Sequence, residues 1–277
     1  MKRSRPAANA DRGRRKQKHS TIDQRRETPR PPDSSMIYGV LPVLEALRSR
    51  ARSVERVVIA EGVREHRLAE IAEAARGAGI RIDRISRDAL DRLVEPGANH
   101  QGVAAFAAAV SYAEADDILD AASEPALLLV LDGVEDPRNL GAILRSAECA
   151  GVDGVFIPSR RAAGLTDTVA KASAGAVEYV KVAKVGNVNN LIAELKERGI
   201  WVVGASGDAE LTHTEWDWTR PTALVMGAEG HGLHRLVAEN CDALVKIPMY
   251  GRISALNVSV ATGVILFEAR RQRSEGE

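Results

Sequence analysis

The 277-residue sequence predicts an α/β protein, with a parallel sheet covered by helices in its C-terminal half and a smaller α/β unit ahead of it. Three observations carry that expectation. Strand-like and helix-like segments alternate from residue 125 to the end, the pattern of a parallel sheet with helices on both faces. The run "ALLLVLD" is apolar at every position rather than at every second one, as a strand buried on both faces requires. The chain is also long enough for two domains.

Taken in order, residues 1–35 carry 11 Lys/Arg against 4 Asp/Glu and almost no large apolar side chains. Such a segment cannot bury enough surface to offset chain entropy, so it is expected to be a disordered basic tail. It reads either as an RNA-contacting arm, since neutralising phosphates releases counterions, or as a solubilising extension. Residues 36–110 read as a small α/β domain. Its helices are "LPVLEALRSR", "EHRLAEIAEAARGAG" and "RDALDRLV", and its strands are "VERVVIA", "IRIDRIS" and "GVAAFAAAV". Residues 111–124 form an acidic helical linker, and residues 125–273 form the second domain. There the expected strands are "ALLLVLD", "VDGVFIP", "EYVKVAKV", "IWVVGAS", "TALVMGA" and "ALVKIPM". Helices are expected around "NLGAILRSAECAG", "TDTVAKASAG", "NNLIAELKERG", "HGLHRLVAENC" and the C-terminal segment.

Bulk properties exclude several classes. Apolar residues make up 45% of the chain and charged ones 27%, ordinary values for a globular protein. No apolar run approaches the roughly 18 residues that span a bilayer, and the N-terminus lacks the apolar core of a secretory signal. Two cysteines without a CxxC pairing and six histidines without ligand spacing point to a reduced, cytoplasmic protein without a metal.

Ligands of open α/β sheets bind beyond the carboxyl ends of the strands, so three strand-end loops draw attention. In "LDGVEDPRNLGAILRSAECAG" a helix starts near Asn139, which either caps that helix or faces a ligand. Arg145 lies six residues on, in a small and apolar stretch. It is either a solvated charge or, as its surroundings favour, a guanidinium held for an anion such as phosphate. In "VMGAEGHGL" three glycines within six residues let backbone approach a ligand closely, and Glu229 sits among them. It could orient a ligand hydroxyl or simply face a helix dipole. The loop is neither GxGxxG nor a Walker A motif, which argues against a nicotinamide-dependent enzyme. In "IPMYGRISALNVSVATGVILFEARRQ" a strand end hands over to an apolar helix through Gly251, Ser254 and Asn257, the last two also being plausible helix caps.

Together these three segments, in this order and spacing, resemble motifs one, two and three of the SPOUT-class (TrmH/SpoU) RNA 2′-O-ribose methyltransferases over residues 125–273. The first domain, with "IYGVLPVLEAL" and "NHQGVAAFAAAV", resembles the RNA substrate-binding domain of the RlmB branch of that family. The resemblance implies a trefoil-knotted methyltransferase domain that binds S-adenosyl-L-methionine on the backbone around Gly227, Ile247 and Leu256. It implies catalytic roles for Asn139, Arg145, Glu229 and Asn257. A homodimer is implied as well, in which Arg145 acts near the cofactor across the interface. The implied partner is large-subunit (23S) ribosomal RNA, methylated at the 2′-oxygen of a guanosine ribose, with other rRNA or tRNA riboses as alternatives. One position departs from the pattern: the family commonly has Ser-Leu-Asn in motif three, where this chain has Ala255-Leu256-Asn257 preceded by Ser254. That departure leaves open a catalytically silent RNA-binding factor on the same fold.

Overall fold

A computed structural model describes residues 34–274; of the basic tail expected over residues 1–35, residues 1–33 lie outside them, while Ser34 and Ser35 are not tail but the start of a strand, because they pair with Ala108 and Ala107. The first sheet contains β1 (Ser34–Tyr38), β2 (Val54–Ala60), β3 (Arg81–Ile85) and β4 (Val103–Ala108), in the order β1-β4-β2-β3. β4 runs antiparallel to both of its neighbours, and β2 is parallel to β3. Helices α1 (Val40–Ser49) and α2 (Ala69–Gly77) bury Val43, Leu47 and Ile71 against one face of this sheet. Helix α3 (Arg87–Leu93) buries Leu90 against the other face, over Phe106 and Val58. Ser86 caps α3 by accepting from the amide of Ala89. Strand β1 has no sequence signal of its own. "SSMIY" follows a polar tail and becomes a strand only by pairing with β4, starting two residues before position 36.

The second sheet has seven strands in the order β7-β6-β5-β10-β8-β11-β9, and every pairing is parallel. They are β5 (Leu127–Asp132), β6 (Gly154–Pro158), β7 (Val182–Val185), β8 (Trp201–Ala205), β9 (Leu211–Thr212), β10 (Thr222–Gly227) and β11 (Ala243–Lys246). Helices α5 (Pro137–Cys149), α6 (Asp167–Ala172) and α9 (Val258–Ser274) cover one face. Helices α4 (Ala115–Asp120), α7 (Val188–Glu197) and α8 (Arg235–Asn240) cover the other. The all-apolar run of β5 is explained by this sandwich. Leu127, Leu129 and Leu131 enter the α5/α9 core, while Leu128 and Val130 enter the α4/α7 core.

Three expected elements change shape for identifiable reasons. The segment "EYVKVAKV" yields a strand only at Val182–Val185, because Glu178 belongs to a single 3₁₀ turn and turns inward to pair with Arg52. That pair is almost wholly buried, at 5% and 2% side-chain exposure, and joins the two sheets. Removing one partner of such a pair costs roughly 3–5 kcal/mol, because it strands a charge without solvent. The helix expected from His231 starts only at Arg235, since the preceding residues are drawn into the glycine loop. Strand β11 ends at Lys246, leaving Ile247–Asn257 as an extended loop.

Further contacts seat the first sheet on the second. Ser35 Oγ and the Met36 amide both donate to the Asp167 carboxylate. Tyr179 Oη donates to Glu45, which pushes the phenol up to about 12. Lys171 Nζ donates to the Asn99 carbonyl.

Candidate active site

The strand order reverses direction between β5 and β10. From β5 the chain builds outward through β6 and β7, while β10 is flanked on its other side by β8 and β11. The ends of the two strands are in register, Asp132 against Gly227. Their following loops therefore diverge at one point and leave a crevice, the usual ligand position in such sheets.

The loop after β5 enters α5 with Asp136 as its cap: the carboxylate accepts from the Arg138 amide at 2.7 Å, and Pro137 occupies the first turn. Asn139 is thus relieved of capping and points inward, 9% exposed. The loop after β10 folds back on itself: the amide of Ala228 donates to the carbonyl of Gly232, and the amide of Gly232 returns a bond to Ala228. Gly230 and Gly232 both take positive φ there, at 84° and 67°. The fold-back is so tight that a Cβ on Gly227 would lie 2.1 Å from the Gly232 carbonyl carbon. Asp132, buried at the end of β5, holds the far end of this loop by accepting from both the amide and Nδ1 of His234, at 2.8 and 2.9 Å. The loop after β11 ends at Asn257, whose Oδ1 accepts from the Ser259 amide and hydroxyl and so caps α9.

These three loops are joined by one side-chain network. Asn139 Nδ2 donates to Glu229 Oε2 at 2.9 Å. Asn257 Nδ2 donates to Asn139 Oδ1 at 3.0 Å and approaches Glu229 Oε1 at 3.4 Å. A carboxylate only accepts, so Glu229 fixes the orientation of the Asn139 amide, which in turn leaves its oxygen for Asn257. Asn257 is therefore both the helix cap foreseen for it and a member of the network.

The network separates two adjoining chambers. One, of ≈ 240 Å³, is lined by Gly227, Glu229, Ile247 and Leu256 together with Ser206 and Gly207 from the end of β8. Its floor is apolar, formed by Met226, Val258 and Ile265, and its walls offer loop backbone from three strand ends. Flat apolar surface beside free backbone donors and acceptors suits an adenosyl group, and the nearby carboxylate of Glu229 suits a positive charge. Ser254 and Ala255 both line this chamber. The second chamber, of ≈ 370 Å³, is lined by Gly133, Val134, Asn139, Glu229 and His231 and is more polar. The chambers share Ala228, Glu229 and Val258.

Gly227, Ile247, Leu256, Asn139, Glu229 and Asn257 therefore meet at one place, while Arg145 does not join them within the chain. Six residues past Asn139, it lies about 9 Å farther along α5 and ~240° around its axis. Contrary to the expectation drawn from its apolar neighbours, Arg145 is exposed: Leu140, Ile143, Leu144 and Ala147 turn inward, and Arg145, Glu148 and Cys149 turn out. Beside it, α9 crosses α5 at Gly263 and Ser146 and presents Val260, Val264 and Phe267 to solvent, 38–51% exposed. The residues the sequence did not single out are Ser206, Gly207 and Asp132. A buried Asp at a strand end is the one available signal among them, since nothing apolar compensates its charge. Among the described residues there is no group of three His, Cys, Asp or Glu that could hold a metal, and no helix is long and apolar enough to cross a membrane.

A parallel sheet with a backbone-walled crevice at its switch point is where open α/β folds hold a nucleotide-type ligand, and the Asn–Glu–Asn network beside it can position a polar substrate. Family comparison makes this specific. Residues 126–267 match the SpoU rRNA Methylase family, and residues 36–113 match the domain described as RNA 2′-O ribose methyltransferase substrate binding. The chain belongs to the SpoU rRNA methylase family, whose members are RNA 2′-O-ribose methyltransferases. It is 48% identical over 240 residues to the 23S rRNA (guanosine-2′-O-)-methyltransferase RlmB of Xanthomonas campestris pv. campestris, covering 86% of this chain and 96% of the relative. It is 46% identical over 242 residues to the RlmB of Ralstonia nicotianae, covering 87% and 97%. Among solved structures, the SpoU methyltransferase AviRb from Streptomyces viridochromogenes in complex with AdoMet aligns with a TM-score of 0.73 at 25% identity, covering 88% of this chain and 92% of that one.

Proposed function

We propose that the protein transfers a methyl group from S-adenosyl-L-methionine to the ribose 2′-oxygen of a guanosine in 23S ribosomal RNA, in the cytoplasm. The observation that carries this reading is the Asn139–Glu229–Asn257 network standing between a backbone-walled apolar chamber and a polar one. The RlmB relatives, at 46–48% identity over nearly their whole length, supply the substrate.

The cofactor supplies an already activated methyl on a sulfonium, so the protein's task is to place the 2′-oxygen in line and accommodate its charge. Gly227, Ile247 and Leu256 hold the adenosyl portion through their backbone. Asn139, fixed by Glu229 and Asn257, positions the ribose in the polar chamber; positioning of this kind contributes several kcal/mol. Arg145 serves as a cation rather than a base, holding the adjacent phosphate and stabilising the developing alkoxide. Because it points out of its own subunit, it serves the site of a partner. The exposed apolar stripe Val260, Val264 and Phe267 on the neighbouring α9 is the surface a second copy would cover. The C-terminal segment is taken to follow the knotted path of the SPOUT class.

Mapping 2′-O-methyl marks on total RNA from cells with and without the protein tests the reading. One guanosine mark in 23S rRNA is expected to vanish. Loss of a tRNA mark with an unchanged 23S map would overturn it.

A further inference from the structure

We infer that Arg160 and Arg161, in the loop after β6, form a fixed clamp for RNA phosphates flanking the target nucleotide. The inference rests on the proposed function for its RNA substrate and adds the surface that grips it.

The loop is exposed yet held at three points. The Ser159 amide donates to the Val185 carbonyl, the Ala163 amide to the Val134 carbonyl, and the Leu165 amide to Tyr112 Oη, all at 2.8–2.9 Å. Val134 itself lines the polar chamber beside Asn139 and Glu229, so the two arginines stand only two and three residues from a direct tether to that chamber's wall. Arg161 also occupies the left-handed region, at φ 55°, where a glycine would be at ease; a long cationic side chain is kept there instead.

Their lack of partners is the second observation. Elsewhere in this half of the chain Arg198, Arg220, Arg235 and Arg271 each lie within salt-bridge distance of a carboxylate, and Arg270 and Arg273 donate to backbone carbonyls, while Arg145 and Arg252 are unpaired among the described residues. Among the described residues neither Arg160 nor Arg161 makes an ion pair or a side-chain hydrogen bond. Arg138 is likewise free of side-chain partners and stands in the first turn of α5, where the helix dipole opposes a positive charge. Residues 111–277 hold 16 basic against 24 acidic side chains, so carboxylates are plentiful, yet Arg138, Arg160 and Arg161, in the segments that follow the neighbouring strands β5 and β6, are left without one. Unmatched, rigidly presented arginines beside a ribose-sized polar chamber suit the phosphates on either side of a ribose.

The test is RNA binding by the full protein at several salt concentrations, using an unmethylated 23S rRNA fragment as probe. For R160A/R161A we expect affinity to fall at least tenfold near physiological salt. The slope of log Kd against log salt should flatten by about 1.4, two single-strand phosphate contacts. Binding of S-adenosyl-L-methionine should be unchanged, and R160K/R161K should restore the slope. An unchanged slope in a folded double-alanine variant, or a lysine pair that leaves the slope flattened, overturns the clamp. Failure of the wild type to methylate any 23S guanosine would instead overturn the function on which it rests, because binding is read here without turnover.

Discussion

Replacing Gly227 with alanine is expected to abolish cofactor binding. The added Cβ would meet only backbone: the Gly232 carbonyl carbon at 2.1 Å, its oxygen at 2.3 Å and the Leu233 amide at 2.3 Å. No side chain lies in the way to rotate aside, so the Ala228–Gly232 fold-back must open. That fold-back forms one wall of the apolar chamber and carries Glu229, so its opening also removes the acceptor that orients Asn139. Affinity for S-adenosyl-L-methionine should fall by ~100-fold or more, about 2.7 kcal/mol. Equilibrium titration on a variant whose circular dichroism matches the wild type provides the check. Affinity within threefold of wild type would show that the fold-back is no part of the cofactor site.

Replacing Arg145 with alanine should have the opposite signature. The side chain is exposed and bonded to nothing among the described residues, so stability and cofactor affinity should stay within twofold or threefold of wild type. Turnover should drop by ~10²–10³-fold, the usual effect of deleting one group that stabilises developing charge. Its outward orientation adds a sharper expectation. With the proposed dimer and its shared site, mixing subunits carrying R145A with subunits carrying G227A should restore activity to about a quarter of wild type, since half of such dimers would be mixed and each mixed one would have one intact site. A mixture as inactive as its components would place Arg145 in its own subunit's chemistry or in none.

The sheet of the C-terminal half was legible because β5 and β10 are buried on both faces at every position and β8 over residues 202–204, which makes all three largely apolar runs. β1 and β9 were not, since a five-residue strand following a polar tail and a two-residue edge strand owe their form to the strands they pair with. The meeting of Gly227, Glu229, Leu256 and Asn257 could be anticipated from the motifs. The geometry that makes them a unit could not, because it depends on Asp136 taking over the helix cap and freeing Asn139. Arg145 is exposed, against its apolar sequence surroundings, for a helical reason. Its apolar neighbours in sequence lie on the buried stripe of α5, and one residue's step turns it out of that stripe. Ser206 and Gly207 carried no signal, since nothing in "IWVVGAS" distinguishes a chamber wall from an ordinary strand end.

The most direct measurement combines the purified protein, S-adenosyl-L-methionine and 23S rRNA from cells lacking the protein, followed by nuclease digestion and mass spectrometry of the nucleosides. One new 2′-O-methylguanosine per RNA is the predicted product. A methyl group appearing on a base, or no transfer at all under conditions where the cofactor binds, would contradict the assignment of these three loops to ribose methylation.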